Sequence, residues 1–121
     1  MIADFIALLF FSRDYAHRAH LRTTSYAVHM ALEKFYEDLL EAVDELTETY
    51  QGRFDILEIG YYTAEADADA TDPVAVLQRH YQLVKRLRYE AVPKAETMLH
   101  NQIDTIESIY ARALYKLKHL S

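Results

Sequence analysis

The sequence predicts an all-α protein, built as a four-helix bundle with a long crossover between the second and third helices. Only two glycines and two prolines interrupt its 121 residues, so long helices with few turns are expected. Apolar residues recur at three- and four-residue spacing along four stretches, which is the pattern of helices packed around one core. A chain of this length forms one such core, and residues 1–121 are predicted to be a single domain.

The first two helices are predicted on either side of a short polar turn. The first runs from Ile2 to Leu21, and its apolar face recurs at Phe5, Leu8, Leu9, Ser12, Ala16 and Ala19. Residues 22–25 form the turn, where the hydroxyls "TTS" offer N-caps to the next helix. The second helix runs from Tyr26 to Gln51, Gly52 is its expected stop, and its seam is Val28, Leu32, Phe35, Leu39, Val43, Leu46 and Tyr50.

A long connection separates these helices from the other two. Residues 53–72 include the apolar piece "FDILEIGYY", and the small acidic stretch "TAEADADATDP" that follows it is expected to be exposed. Asp72 is the predicted N-cap of the third helix, Pro73–Ala91, which ends before Pro93. The fourth helix runs from Lys94 to Leu120, with an apolar face of Met98, Ile103, Ile106, Ile109, Tyr110, Ala113, Leu114 and Leu117.

The composition limits the kinds of site that the protein can contain. The chain has no cysteine, so a disulfide framework and a thiolate metal site are excluded, and any metal must use His, Asp and Glu. The apolar run "FIALLFF" follows an acidic residue and is far too short to span a bilayer. We therefore expect a cytoplasmic protein with no membrane partner.

Charge is unevenly distributed along the chain. The net charge is −6, and residues 33–72 carry 13 acids against 2 bases. DNA binding through a Lys/Arg-rich tail is not expected, because no such tail is present. The third helix and the residues after it are basic and could hold an anionic ligand. Pairing with the acids of a neighbouring chain is the favoured interpretation, and the residues concerned are Arg79, Lys85, Arg86, Arg88 and Lys94.

Histidines and carboxylates on the first two helices form the candidate metal site. At about 100° per residue, His29, Glu33, Asp44 and Glu48 fall on one stripe of the second helix. An antiparallel first helix would bring His17 near His29, and imidazole with carboxylate suits Fe(II), Mn(II) or Zn(II). Asp44, however, is about 22 Å from His29 along the helix axis. Either no single site exists, or two chains share it.

The spacing H(17)-x11-H(29)-x3-E(33)-x10-D(44)-x3-E(48) resembles the signature of the Dps mini-ferritins, with Glu33 where that family commonly has Asp. The resemblance implies a ferritin-like bundle and a ferroxidase site at a two-fold interface. There His17, His29 and Glu33 would face Asp44 and Glu48 of the partner subunit, and dioxygen or peroxide would oxidise Fe(II) to Fe(III). It also implies a homo-oligomer, at least a two-fold dimer and possibly a shell.

The alternative is a non-enzymatic protein. The stretch "LHNQIDTIESIYARALYKLKHL" is similar to small uncharacterised ferritin-like proteins of tailed phages, which implies the fold but no established activity. Such a protein would bind a host protein or a small anionic ligand, and in it the metal signature would be a relic. Trp and Gly usually follow the first Dps histidine, and "RAHLRTT" replaces them here.

Two further sets of residues are weaker candidates. His20 and Tyr26 lie beside the signature and could support its ligands from outside, although the favoured interpretation of His20 is an exposed side chain. The second set lies at positions i, i+4 and i+8 of the last helix. The favoured interpretation is a polar stripe that faces solvent, and the alternative is a secondary metal site. Its members are Glu96, His100 and Asp104.

Overall fold

The computed structural model describes residues 1–120, and the all-α prediction is confirmed. Four long helices are α1 (Ile2–Arg22), α2 (Tyr26–Arg53), α4 (Pro73–Ala91) and α5 (Thr97–His119). A short helix, α3 (Glu65–Ala68), lies in the connection that joins α2 to α4. Across the described 120 residues no helix is both long and apolar enough to cross a bilayer.

The four long helices pack in a cycle around one core. α1 packs on α2 and α4, and α5 packs on the same two helices. Apolar faces of all four meet inside, because each helix carries its apolar residues on one side. The largest fully buried side chains are Phe5, Ile6, Leu8, Leu9, Leu32, Phe35, Leu39, Leu46, Leu77, Leu99, Ile103 and Tyr110.

Side-chain contacts give the directions of the helices. Arg53 at the end of α2 pairs with Glu96 at the start of α5, and Lys118 near the end of α5 donates to Gln78 near the start of α4 at 2.9 Å. Each packed pair is therefore antiparallel, and α2 and α4 run parallel at opposite corners of the cycle. Residues 54–72, here called the crossover, run along the length of the protein and connect the end of α2 to the start of α4.

Two predicted helix boundaries are wrong by two or three residues. α2 continues through Gly52 to Arg53, because a glycine inside a helix costs only about 1 kcal/mol and the N–H of Phe54 still bonds to the carbonyl of Tyr50 at 2.9 Å. α5 begins at Thr97 rather than Lys94, since the N–H of Glu96 closes a turn onto the carbonyl of Pro93 at 3.0 Å.

The crossover contacts the helices at several points. Tyr62 packs edge-on against Phe11 of α1, with ring centroids 5.4 Å apart. The hydroxyl of Tyr15 donates to the carbonyl of Ala70 at 2.9 Å. The acidic stretch was expected to be exposed, yet its Asp67 is half-buried because it bonds to side chains of α4. Met98, expected on the apolar face of the last helix, is instead 49% exposed.

Candidate metal centre

A three-residue turn joins the two helices that carry the histidines. α1 ends at Arg22, and Thr23 takes an extended conformation. The hydroxyl of Ser25 caps α2 by accepting a hydrogen bond from the N–H of Val28 at 3.2 Å. The N–H of Ser25 donates to the Thr23 hydroxyl at 3.2 Å. This polar run therefore turns the chain sharply, and the last turn of α1 lies beside the first turn of α2.

The two histidines nearest this turn bond to each other's backbone. Nδ1 of His20 lies 2.9 Å from the carbonyl oxygen of His29, and Nδ1 of His29 lies 2.8 Å from the carbonyl oxygen of His20. The rings stack with centroids 3.7 Å apart. Since the last carbonyls of a helix have no partner within it, the His29 ring also satisfies an acceptor at the end of α1.

These bonds fix which nitrogen of each ring carries a proton. A carbonyl oxygen only accepts hydrogen bonds, so Nδ1 of His20 and of His29 must donate. In a neutral imidazole the other nitrogen then holds a lone pair. Nε2 of each ring is therefore ready to bind a cation. Metal-binding histidines characteristically hold their second ring nitrogen on a carbonyl or carboxylate in this way.

Glu33 completes a group of three possible ligands. One ring nitrogen of His20, one of His29 and one carboxylate oxygen of Glu33 all lie within 4.8 Å of one another. Nε2 of His20 is 3.8 Å from Oε1 of Glu33. His20 is buried, whereas His29 and Glu33 are half-buried, so the group is open to solvent on one side. In the part of the chain that the structure describes, no other such group occurs.

His17 lies beside this group but outside it. Its ring stacks on Tyr36 with centroids 4.5 Å apart, and its centroid is 6.1 Å from that of His20. Burial raises the pKa of Tyr36, and the carboxylates of Glu33 and Glu37 raise it further. The phenol is therefore protonated at neutral pH, and it can donate a hydrogen bond next to the group.

The two residues predicted to support the signature have different positions. His20 does not support the ligands from outside the site. It is itself one of the three grouped side chains. Tyr26 is 77% exposed, and its ring centroid is 6.4 Å from that of His29. Of the two, only His20 is placed to hold a cation.

Asp44 and Glu48 lie farther along α2, and both are exposed. At about 1.5 Å per residue they are about 22 Å or more from His29, so one chain does not bring them to the group. Asp44 lies on the wall of a surface groove of about 680 Å³ between α1, α2 and the crossover. The groove's aromatic and aliphatic lining includes Phe10, Phe11, Leu40, Ile59, Tyr61 and Tyr62.

The residues of the secondary candidate set contact arginines. Glu96 accepts two hydrogen bonds from Arg53, each 2.7 Å long. Arg88 donates to Nδ1 of His100 at 3.1 Å and to a carboxylate oxygen of Asp104 at 2.7 Å. Two arginines therefore occupy the places where a cation would have to bind.

Sequence reasoning missed the pairing of His20 with His29. Residues equally distant from the centre of a turn face each other when two helices fold back antiparallel, and the predicted turn at residues 22–25 placed neither His20 nor His17 at the same distance as His29. In the structure the turn is residues 23–25, and His20 lies one position closer to its centre than His29 does, whereas His17 lies two positions farther. The twelve-residue spacing of the signature had directed attention to His17 instead.

The chain is similar to a phage protein of unknown activity. It is 25% identical over 114 residues to an uncharacterized 14.6 kDa protein of Enterobacteria phage T4 from the mobD-ri intergenic region, a match that covers 94% of this chain and 85% of the phage protein. No solved structure matches the chain. Residues 20–117, which include the three grouped side chains, match a family of unknown function, DUF5856. Because this match spans most of the chain, the protein belongs to the DUF5856 family.

Proposed function

We propose that this protein binds a divalent transition metal at His20, His29 and Glu33 and oxidises Fe(II) in a homo-oligomer of ferritin-like bundles. The observation that carries the proposal is the pair of Nδ1–carbonyl hydrogen bonds, which leaves an Nε2 lone pair on each of two stacked rings beside a carboxylate. Two imidazoles and one carboxylate form a ligand set used for Fe(II) and for Zn(II).

A second chain would complete the site. Three ligands leave coordination positions open, and the exposed carboxylates of Asp44 and Glu48 are free to meet a neighbouring molecule. In a two-fold pair with antiparallel α2 helices, Asp44 and Glu48 of the partner subunit would approach His29, and the reverse contact would follow by symmetry. His17 would join the ligands if its ring turned away from Tyr36.

Fe(II) is the substrate in this proposal. Each Fe(II) gives up one electron and becomes Fe(III), while hydrogen peroxide takes two electrons and two protons and becomes two waters. Neutral imidazoles hold the ion without adding charge, and the carboxylate of Glu33 offsets its positive charge. Zn(II) or Mn(II) would occupy the same ligands without this oxidation in air.

The test compares Fe(II) oxidation in three proteins. Apo-protein receives Fe(II) anaerobically, then peroxide or air is admitted, and ferric absorbance is followed while light scattering gives the mass. The wild type and a His119→Ala control, altered at an exposed histidine of α5, should oxidise Fe(II) rapidly as oligomers. A folded His29→Ala variant should lose the reaction. Equal rates in His29→Ala and the control would overturn the proposal.

The second candidate function is binding of a host protein, as expected for a non-enzymatic phage-type protein. It is favoured by the apolar groove, in which Phe10 and Leu40 are each 38% exposed and Tyr61 is 99% exposed. This candidate predicts no stoichiometric metal after purification with iron supplied. It also predicts that Leu40→Glu abolishes recovery of a host protein that the wild type retains, whereas His29→Ala leaves that recovery unchanged.

A further inference from the structure

The groove between α1, α2 and the crossover has the size and the lining of a small-molecule site. Its volume of about 680 Å³ falls within the range of about 300 to 1,000 Å³ that is usual for ligand pockets. Phe10 and Phe11 of α1 and Tyr61 and Tyr62 of the crossover bring four aromatic rings to it. Leu40 of α2 adds an aliphatic side chain. An apolar ligand would therefore contact all three elements that form the groove.

Arg13 brings a positive charge to this groove without a partner of its own. The side chain lines the groove and is half-buried. Its Nε is buried, and no acceptor in residues 1–120 lies within hydrogen-bonding distance of that atom. None of the ion pairs in the same range includes Arg13. Because a buried donor without an acceptor costs free energy, an anion that accepts from this guanidinium would be stabilised here.

Two carboxylates also line the groove, but neither of them is paired with Arg13. Asp14 accepts a hydrogen bond from Arg18 at 2.8 Å, which offsets its charge. Burial and neighbouring carboxylates raise the pKa of Tyr36, and the nearby charge of Arg13 opposes them. Arg13 therefore lies toward the Tyr36 end of the groove. Asp44 is about 12 Å farther along α2 than Tyr36, and exposed charges so far apart are largely screened at physiological salt.

We propose that the groove binds a small amphipathic carboxylate, whose anionic group pairs with Arg13 and whose apolar body packs among the aromatic rings of α1 and the crossover. A guanidinium can donate two parallel hydrogen bonds to a carboxylate, which orients the ligand as well as holding it. The apolar contacts do not distinguish this ligand from a neutral molecule of the same shape. Arg13 therefore determines the preference for an anion.

This site is separate from both functions proposed above. It shares no side chain with the group of His20, His29 and Glu33, so binding there requires no metal ion. It overlaps the surface of the second candidate function, but its ligand is a small molecule rather than a host protein.

The test compares two matched probes on metal-free protein. Naphthylacetate carries a carboxylate, whereas naphthylacetamide has the same rings and nearly the same shape without the charge. Prior treatment with a chelator ensures that the carboxylate gains no affinity from a bound metal ion. Calorimetric titration at low ionic strength gives both dissociation constants. The wild type should bind naphthylacetate at least about 10-fold more tightly, because hydrogen bonds between charged groups are stronger than neutral ones.

Four variants locate the site. Arg13→Gln should weaken naphthylacetate binding to the level of naphthylacetamide and leave naphthylacetamide binding unchanged. Arg86→Gln removes the same charge at an exposed position of α4 and should change neither constant. Leu40→Ala should weaken both probes by a similar factor, since it shortens the apolar wall. His29→Ala should change neither constant, so failure of this site and failure of the metal centre are distinguished.

Equal affinities of the two probes for the wild type would overturn the proposal, as would equal effects of Arg13→Gln and Arg86→Gln. If Arg13→Gln does not fold, NMR of wild-type protein with isotope-labelled arginine decides the question. The Nε–H signal of Arg13 should then move on addition of naphthylacetate and stay in place on addition of naphthylacetamide. An Arg13 signal that does not move at saturating naphthylacetate would contradict the proposal equally.

Discussion

Arg88 carries its charge into the interior and contacts three residues of α5. Its guanidinium donates to the ring and the carbonyl of His100 and to the carboxylates of Asp104 and Glu107. Burial would lower its pKa, but the hydrogen bonds to the two carboxylates outweigh burial and raise the pKa instead. The residue is therefore charged at every pH at which the protein folds, and it ties α4 to α5.

Replacing Arg88 should destabilise the protein strongly. Arg88→Met keeps most of the side-chain volume but leaves His100 and Glu107 without their partner, so the free energy of unfolding should fall by about 3 kcal/mol. Arg86→Met, at an exposed position two residues away, should change it by less than about 0.5 kcal/mol. Urea denaturation followed by circular dichroism measures both. Equal effects would show that Arg88 contributes nothing through its buried contacts.

His20 and His17 should differ in their effect on metal affinity. Because Nε2 of His20 lies beside Glu33 whereas His17 stacks on Tyr36, His20→Ala should weaken Zn(II) binding by more than about 100-fold. His17→Ala should weaken it by less than about 10-fold. Calorimetric titration of apo-protein with Zn(II) measures both constants. The reverse order would favour the ligand set that the Dps resemblance implies over the one proposed from the structure.

At the scale of the element, adjacent residues of α2 differ sharply in their exposure to solvent. Leu39 is 0% exposed and Leu40 is 38% exposed, although the two are adjacent. The difference arises because successive helical residues are rotated by about 100°. The apolar seam of α2 could therefore be predicted from spacing alone.

A pair of truncations tests this register. Leu39→Ala should lower the free energy of unfolding by about 3 kcal/mol, because it opens a cavity in the core. Leu40→Ala removes the same atoms from a partly exposed position and should cost less than about 1 kcal/mol. Thermal and urea denaturation of the two variants provide the comparison. Similar losses would place the core on a different face of α2.

How much the sequence can predict differs between the elements. The limits of Pro73–Ala91 follow from Asp72, Pro73 and Pro93, since their chemistry acts locally. α3 could not be predicted, because its four residues are held by the contact of Asp67 with His80, which is distant in the chain. At the candidate metal centre, the residue types and the stripe that they form on α2 could be predicted from the sequence. The choice of His20 over His17 required the geometry of the turn.

The burial of His80 and Arg88 could be predicted in part from the sequence. They follow Val76 and Val84 at every fourth position, so two polar residues interrupt one buried apolar stripe of α4. Such a pattern indicates buried hydrogen-bonded side chains. It does not identify their partners, which are on α1, α3 and α5.

For the whole molecule, the crossover contributes to stability through one half-buried carboxylate, that of Asp67. Burial would raise the pKa of Asp67, but the hydrogen bonds from Arg79 and His80 outweigh burial, and the pKa is lowered. A carboxyl whose pKa is lower in the folded state stabilises the protein above its unfolded pKa of about 3.9. That contribution is lost as the pH falls through the lower folded value.

Asp67→Asn should reveal this contribution. At neutral pH the variant should unfold with about 1 to 2 kcal/mol less free energy than the wild type, because the ionic hydrogen bond to Arg79 becomes a neutral one. The difference should shrink once the pH falls below about 3.9. Urea denaturation at a series of pH values gives the comparison, with Asp69→Asn at an exposed position of the same segment as control. A constant difference at every pH would contradict this assignment.

The cycle of four long helices gives the candidate metal centre and the hydrogen-bonded side chains of Ser12, Asp67, His80 and Tyr110 separate positions on one molecule. The candidate metal centre depends on the turn between α1 and α2, whereas those four side chains lie on α1, α3, α4 and α5. A variant that damages one should therefore leave the other intact, as expected for groups that share no side chain.

The central claim is that His20, His29 and Glu33 hold a metal ion, and the most direct test is anomalous X-ray diffraction from crystals grown with Zn(II). The account predicts an anomalous peak about 2.0 to 2.1 Å from Nε2 of His20 and of His29, bonded also to the Glu33 carboxylate. A carboxylate of Asp44 or Glu48 from the partner subunit would lie on an open side of the ion. No peak at these three residues, in crystals that bind Zn(II) elsewhere, would contradict the account.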